Sequence, residues 1–193
     1  MTPKDFAVAV IRTMGFPETD NNIDALVAWQ GAEGGHFANS AYFNPLNTSQ
    51  KMPGSTFFNY FDAAKTMGVQ RYTDWQQGLD ATIKTLNNGR YGSIIASFMA
   101  SAPVLDTLHA IGNTAWGTTT LKNATSPSAW RAYANKIDPI GGAVAVLQEA
   151  GDVFLQEAGD VAMAHPKSTI GLLAGLAIMG VTGYYFYAKS RRG

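Results

Sequence analysis

One uncharged, mostly apolar segment near the C-terminus, residues 168–188, restricts most strongly what this chain can fold into. A helix of that length rises about 1.5 Å per residue and spans roughly 30 Å, the thickness of a bilayer core. Its end carries the aromatic run from Tyr184 to Tyr187, and Lys189, Arg191 and Arg192 follow, as at a membrane–water interface. We therefore predict a single-pass membrane protein with one C-terminal transmembrane helix over residues 168–188 and a basic tail at residues 189–193.

The flanking charges also predict how this helix is oriented and where it resides. Basic residues favour the cytoplasmic side, which would place the preceding domain outside. The N-terminus has no signal peptide, because its apolar run from Phe6 to Ile11 is too short. These expectations agree if the protein enters a virion membrane or the host cell envelope by an unusual route, such as assembly of a lipid-containing virus. Gly171 and Gly175 form a small-x-x-x-small pair, a candidate contact for helix–helix self-association or for other virion proteins.

The composition excludes several classes of function. Lys plus Arg and Asp plus Glu number 14 each, so the chain is neutral and no nucleic-acid partner is expected. The absence of cysteine excludes disulfides, thiolate metal sites and a cysteine nucleophile. The histidines, His36, His109 and His165, lack the spacing of metal ligands. We expect no metal and no cofactor.

Residues 1–140 carry the signals of a mainly helical domain of the α+β class. Helix-start and helix-stop residues predict helices at about residues 3–14, 23–33, 73–86, 91–100 and 103–111, with a last one from residue 126. Asn21 or Asn22 is the predicted cap of the second helix. Residues 36–60 predict an ordered loop with short strands, and residues 66–72 an extended segment. Residues 141–167 are predicted to be a connector, in which LQEAGDV occurs at residues 147–153 and 155–161.

Glu33 is the strongest candidate for a chemical role. It is predicted to lie at the C-terminal end of the second helix, where the helix dipole disfavours an ionised carboxylate. Trp29 lies one turn earlier on the same face, and an apolar setting raises the pKa of a carboxyl group. A protonated glutamic acid near neutral pH is what cleavage of a glycosidic bond requires. On this pattern alone, a solvent-exposed glutamate that closes a helix is the simpler interpretation.

Several ordered motifs resemble the lysozyme-like domains of actinobacterial phages and their relatives, in the superfamily of lytic transglycosylases and goose-type lysozymes. The resemblance covers about residues 2–134. It is carried by residues 29–48 (Trp29 to Thr48), by Gly68-Val69-Gln70-Arg71-Tyr72, and by residues 77–82 and 85–91. It implies a mainly helical lysozyme-like domain with a small β element and a groove for peptidoglycan glycan strands.

The resemblance also implies roles for particular residues. Glu33 matches the catalytic glutamate that follows the second helix. Gln70 matches a glutamine that would hydrogen-bond an N-acetyl group of the substrate. The remaining groove residues that it implies are Asn44 and Asn47 on an asparagine loop, Tyr72 at the end of the Gly68 motif, Tyr91, and Trp116, which would stack on a sugar face.

Two departures leave the exact reaction open. The serine that follows the catalytic glutamate in transglycosylases is Gly34 here, and the methionine of the glycine–apolar–glutamine element is not kept. A second carboxylate, which an inverting hydrolase needs about 6.5–9.5 Å from the first, has only Asp62 and Asp74 as candidates. Asp74 is better explained as a helix-start residue. A lytic transglycosylase needs no second carboxylate, because the 6-hydroxyl of muramic acid attacks the anomeric carbon.

Most other aromatic residues are predicted to be core. This applies to Trp75 and Trp130 and to most of the cluster Phe57, Phe58, Tyr60 and Phe61, while His109 is predicted to be a structural histidine. Taken together, the sequence predicts a membrane-anchored enzyme that cleaves peptidoglycan and is phage-encoded for genome entry or lysis. Its partners would be glycan strands and a lipid bilayer. The rival interpretations are a non-catalytic peptidoglycan-binding module and a structural membrane protein of a virion.

Overall fold

Six α-helices, one 3₁₀ helix and two short strands make up residues 1–139, the part of the chain that the computed structural model describes. The helices are α1 (Pro3–Met14), α2 (Asp20–Glu33), α3 (Trp75–Leu86), α4 (Gly92–Met99), α5 (Val104–Gly112) and α6 (Pro127–Ala134), with the 3₁₀ helix at Thr119–Asn123. The strands are β1 (Thr56–Phe57) and β2 (Gln70–Arg71). The predicted α+β, mainly α class is confirmed at this level. The predicted connector (141–167), transmembrane helix (168–188) and basic tail (189–193) lie outside the described residues.

Side-chain caps set where the helices begin. Thr2 and Asp5 form a reciprocal capping box at α1, as the sequence predicts. The cap of α2 is Thr19, whose hydroxyl accepts from the backbone N–H of Asn22, so this helix begins earlier than a cap at Asn21 or Asn22 predicts. Asp74 caps α3, one residue later than the predicted box.

The second helix, α2, lies at the centre of the domain. It packs against α1, α5 and α6, and seven consecutive residues from Ala25 to Gly31 are buried. A helix that is buried on all sides loses the one-sided apolar pattern of a surface helix. Gly31 allows the close approach of α6, because a Cβ at this position would lie 1.9 Å from the carbonyl oxygen of Tyr133. The position of Glu33 is therefore fixed by the most extensively buried of the described helices.

The core between these helices is apolar and aromatic. Phe16 stacks on Phe98 with 5.2 Å between the ring centroids, and Trp130 is 6% exposed, which confirms Trp130 as core. Trp75 is half-buried and packs against the core through Phe6. His109 bonds the carbonyl oxygen of Ala124 through Nε2 at 2.6 Å, in agreement with the structural role predicted for it.

The two strands form an antiparallel hairpin in which Thr56 pairs with Arg71 and Phe57 with Gln70. The prediction that most of the nearby aromatic cluster is core was wrong. Tyr60 and Phe61 are 48% and 62% exposed, and the others of the cluster are only half-buried. A sheet of two strands of two residues offers little surface to cover them, so the Phe57 and Tyr60 rings pack on each other at 4.7 Å instead.

Within residues 1–139, no helix is long and apolar enough to cross a membrane.

Candidate active site

Glu33 is the last residue of the central helix. Gly34 ends α2 in the left-handed conformation, with φ 62°, and its backbone N–H bonds the carbonyl oxygen of Gln30. The predicted end of this helix is thus confirmed. The carbonyl groups of the last helical turn place partial negative charge at this end of α2, which disfavours an ionised carboxylate there.

The carboxyl group of Glu33 is held by a hydroxyl from a distant part of the chain. Thr118 donates a hydrogen bond from Oγ1 to Oε1 of Glu33. The same Oγ1 accepts a hydrogen bond from Nε1 of Trp29 at 3.2 Å. Since Trp29 and Glu33 are four residues apart on α2, one turn of the helix presents both side chains to Thr118.

Burial dominates the protonation of this carboxyl group. It raises the pKa of Glu33 from 4.5 to about 7, because the ionised form loses hydration. The hydrogen bond from Thr118 and, after it, the nearby donor groups of Trp29 and Asn47 act in the opposite direction and are weaker than the burial. Glu33 can therefore still hold a proton near neutral pH, and can donate or accept one there.

Three aromatic rings pack in a row that begins at Trp29, on the helical turn that carries Glu33. The ring of Trp116 meets that of Trp29 edge-on, with 4.7 Å between centroids, and that of Tyr91 at 5.0 Å. Nε1 of Trp116 donates to the carbonyl oxygen of Leu46 at 3.1 Å. Trp116 is half-buried, Tyr91 is 7% exposed and Trp29 is fully buried. The structure thus brings the predicted groove residue Trp116 to Trp29, and places Tyr91, another predicted groove residue, against Trp116.

The asparagine loop is tied to the same turn through its backbone. Nδ2 of Asn47 donates to the carbonyl oxygen of Glu33 at 2.7 Å. Asn47 has φ 49°, a left-handed conformation that asparagine tolerates better than most residues. Its Oδ1 accepts a hydrogen bond of 3.4 Å from Nδ2 of Asn39. Asn47 therefore satisfies one of the free carbonyl groups at the end of α2 and fixes the loop against it.

Asn44, Gln70 and Tyr72 form a buried network behind this loop. Nδ2 of Asn44 donates to the carbonyl oxygens of Thr48 and Gln70, while its Oδ1 accepts from both the N–H and the hydroxyl of Thr48. These four bonds use the full capacity of the amide. Asn44 is 0% exposed, so it acts here by holding the loop to β2.

The side chains of Gln70 and Tyr72 are engaged in the same way. Gln70 is 1% exposed, and its Oε1 accepts from the hydroxyl of Ser55 while its Nε2 donates to the carbonyl oxygen of Gly68. Tyr72 is 4% exposed, and its hydroxyl lies 2.5 Å from that of Thr48. That Asn44, Gln70 and Tyr72 contact substrate stays a prediction, and the geometry gives all three a supporting role.

Both candidates for a second carboxylate have local structural partners. Asp62 accepts hydrogen bonds from the backbone N–H groups of Thr66 and Met67 and from the Thr66 hydroxyl, which orders the hairpin turn. Asp74 accepts from the N–H of Gln77 as the cap of α3. These bonds lower the pKa of both carboxyl groups, since they stabilise the ionised form. Both carboxylates are thus committed to local structure, Asp62 in the hairpin turn and Asp74 in the helix cap.

His36 lies in a separate aromatic cluster. Its Nδ1 accepts a hydrogen bond of 2.8 Å from the backbone N–H of Phe43, and its ring contacts those of Phe37, Phe43 and Trp75. Burial lowers the pKa of His36, because the charged imidazolium loses hydration. Among the residues that the structure describes, no group of three or more acidic or histidine side chains is placed to hold a metal ion.

Thr118 is the residue that the sequence interpretation missed. The segment Ala115-Trp116-Gly117-Thr118 drew attention only for its tryptophan. Thr118 lies 85 residues from Glu33 along the chain, and no local pattern links the two. The one available sequence signal is the glycine before it. In the structure, Gly117 has φ 100° and turns the chain sharply before the 3₁₀ helix.

In comparisons with known proteins, the chain matches no protein-family model, no curated protein and no solved structure.

Proposed function

We propose that this protein is a membrane-anchored enzyme that cleaves the glycan strands of peptidoglycan, with Glu33 as its general acid and then general base. The observation that carries the proposal is the carboxyl group of Glu33, whose pKa burial raises to about 7 beside Trp29. An acid that is still protonated near neutral pH can protonate the leaving oxygen of a glycosidic bond. In lysozyme, a glutamate whose pKa is raised against a tryptophan acts on the same principle.

The reaction has two proton transfers. Glu33 gives its proton to the glycosidic oxygen as the bond between that oxygen and the anomeric carbon breaks. The Glu33 carboxylate then takes a proton from the hydroxyl whose oxygen bonds to the anomeric carbon. In a lytic transglycosylase that hydroxyl is the 6-hydroxyl of the muramic residue, and in a hydrolase it belongs to water.

The roles of Asp62 and Asp74 favour the transglycosylase route. Both carboxylates are engaged by backbone N–H groups, in a turn and in a helix cap. An intramolecular attack by the 6-hydroxyl requires no second carboxylate to activate water. The muramic residue supplies its own nucleophile, which suits a site in which Glu33 is the carboxyl group with a raised pKa.

The segment 168–188 would tether the domain to a virion membrane or the host cell envelope. Tethering raises the effective concentration of an enzyme at the surface where it acts, so modest affinity for glycan is sufficient. A phage protein of this kind would open the cell wall locally, for genome entry or for lysis.

The test is analysis of the products from purified peptidoglycan. The full chain in detergent micelles is compared with Glu33→Gln and with Glu18→Gln, a matched loss of a carboxylate that pairs with Arg12 on the surface. Fragments ending in 1,6-anhydro-muramic acid, made by the wild type and Glu18→Gln but not Glu33→Gln, support the transglycosylase. Reducing muramic ends support a hydrolase. Binding of peptidoglycan without fragments from any variant would overturn the enzymatic proposal in favour of a binding module, and neither binding nor fragments would favour a structural virion protein.

A further inference from the structure

We infer that Thr118 is a positioning residue that fixes which oxygen of Glu33 carries the transferable proton. The inference rests on the proposed function of Glu33 and deepens it. Thr118 holds Oε1 of Glu33 as a hydrogen-bond acceptor, and the proton for the substrate is then carried by Oε2.

The direction of the hydrogen bonds follows from the chemistry of the donors. The indole Nε1–H of Trp29 can only donate, so Oγ1 of Thr118 accepts from it at 3.2 Å. A hydroxyl has a single proton, and Thr118 directs it to Oε1 of Glu33. Trp29 is fully buried and Thr118 is 7% exposed, so water competes little for either bond. Because the ionised carboxylate of Glu33 can only accept, the hydrogen bonds in that state run from Trp29 through Thr118 to Oε1.

The backbone around Thr118 keeps the hydroxyl in place. Gly117 turns the chain with φ 100°, and Thr118 precedes the 3₁₀ helix that packs against α5 and α2. On the other side, Trp116 is anchored through its Nε1 to the carbonyl oxygen of Leu46. Thr118 is thus held between the anchored Trp116 and the packed 3₁₀ helix, while α2 holds the Glu33 carboxyl group to which it donates.

The hydrogen bond has a second consequence for the chemistry. A donor to a carboxylate stabilises its ionised form, so Thr118 opposes the effect of burial on the pKa of Glu33. Without the donor, burial would act with less opposition and Glu33 would hold its proton more strongly. An acid that is too weak transfers its proton slowly, and the efficient range lies near the working pH. Thr118 therefore both orients the acid and limits how weak it becomes.

The experiment is an NMR titration of Glu33 with selective ¹³C labelling of the glutamate carboxyl carbons. The chain has four glutamates, Glu18, Glu33, Glu149 and Glu157, and the spectrum of Glu33→Gln identifies the signal of Glu33. The full chain in detergent micelles is compared with Thr118→Val, which keeps the shape but removes the hydroxyl, and with Thr118→Ser, which restores it. We expect Thr118→Val to raise the pKa of Glu33 by about 1, the effect of losing one hydrogen bond to a charged group. Thr118→Ser should return it to the wild-type value.

The activity measurement provides the second readout. In Thr118→Val, kcat should fall about tenfold with little change in KM, and the alkaline limb of the pH–rate profile should move up by about 1 pH unit, in step with the NMR value. A pKa of Glu33 that is equal in all three proteins would overturn the inference. If the valine variant does not fold, Thr118→Ala compared with Thr118→Ser decides in the same way. The titration needs no substrate, so it tests Thr118 even if the protein cleaves no glycan.

Discussion

The indole rings of Trp29 and Trp116 meet edge-on with 4.7 Å between their centroids, although they lie on segments far apart in the sequence. Trp29 is enclosed in the core, whereas Trp116 is half-buried and bonds the loop through the carbonyl oxygen of Leu46. Trp116 therefore joins the central helix, the asparagine loop and the segment that carries Thr118. Such a residue contributes to stability as well as to any sugar contact.

Two substitutions of Trp116 separate these contributions. Trp116→Phe keeps an aromatic ring but loses the hydrogen bond to Leu46, and should lower the free energy of unfolding by about 1 kcal/mol. Trp116→Ala also loses the contacts with Trp29 and Tyr91, and should lower it by about 3 kcal/mol. Denaturant unfolding of the purified proteins measures both values. Equal losses for the two variants would contradict a structural role for the ring, and glycan binding that survives only in the phenylalanine variant would indicate sugar stacking.

Gly34 and Gly35 are neighbours with different reasons to be glycine, which gives a second prediction. A Cβ on Gly35 would lie 2.2 Å from the carbonyl oxygen of Pro45 and 2.4 Å from that of Asn44, so the loop would have to move. Gly34 has φ 62° but nothing within 4 Å of its added Cβ. Gly35→Ala should cost about 3 kcal/mol of stability through steric overlap. Gly34→Ala should cost only about 1 kcal/mol, the strain of a left-handed residue.

Thermal or denaturant unfolding of the two alanine variants provides the comparison. Because Asn47 of the same loop bonds the carbonyl oxygen of Glu33, Gly35→Ala should also disturb the NMR signal of the Glu33 carboxyl group. Gly34→Ala is the control for that signal, since no loop atom lies near its Cβ. A larger loss of stability for Gly34→Ala than for Gly35→Ala would show that the loop does not press on Gly35.

The helices and the end of α2 were predictable because they depend on local signals. Caps, periodic apolar residues and glycine stops act within a few residues, and they placed Glu33 at the helix end. The errors in the caps of α2 and α3 are shifts of one to three residues, with Thr19 in place of Asn21 or Asn22 and Asp74 in place of Thr73. Each of these side chains is a good cap, and tertiary packing decides which is used.

The surroundings of Glu33 were only partly predictable because they depend on distant contacts. Trp29 could be assigned from its spacing to Glu33, but Thr118 reaches the carboxyl group from 85 residues away. The prediction that the aromatic residues of the hairpin are buried failed for a related reason. Composition favours burial of Tyr60 and Phe61, and only the small size of the sheet shows that nothing covers them.

The raised pKa of Glu33 predicts a dependence of stability on pH with a definite sign. The folded protein holds the proton up to about pH 7, whereas the unfolded chain releases it near pH 4.5. The folded state is therefore favoured fully below pH 4.5, and this advantage is lost as the pH rises through 7. Glu33→Gln has no charge to bury, so its free energy of unfolding relative to wild type should increase between pH 4.5 and 7 and then level off. The gain is at most about 3 kcal/mol, and smaller to the extent that water reaches the carboxyl group.

Denaturant unfolding of the wild type and Glu33→Gln at a series of pH values from about 4 to 9 measures this gain. Glu18→Gln is the matched control, because the hydrogen bond from Arg12 lowers the pKa of Glu18 and its removal brings no gain in that window. Burial raises the pKa of Asp24 to about 6, so Asp24 titrates in the same window. The effect of Glu33→Gln is therefore also measured in the Asp24→Asn background, by comparing the double variant with Asp24→Asn alone. The gain from Glu33→Gln should be the same in both backgrounds if the two carboxyl groups titrate independently. A difference between Glu33→Gln and wild type that stays constant from pH 4.5 to 7 would mean that Glu33 ionises in the folded protein as it does in the unfolded chain, and the acid role would lose its physical basis.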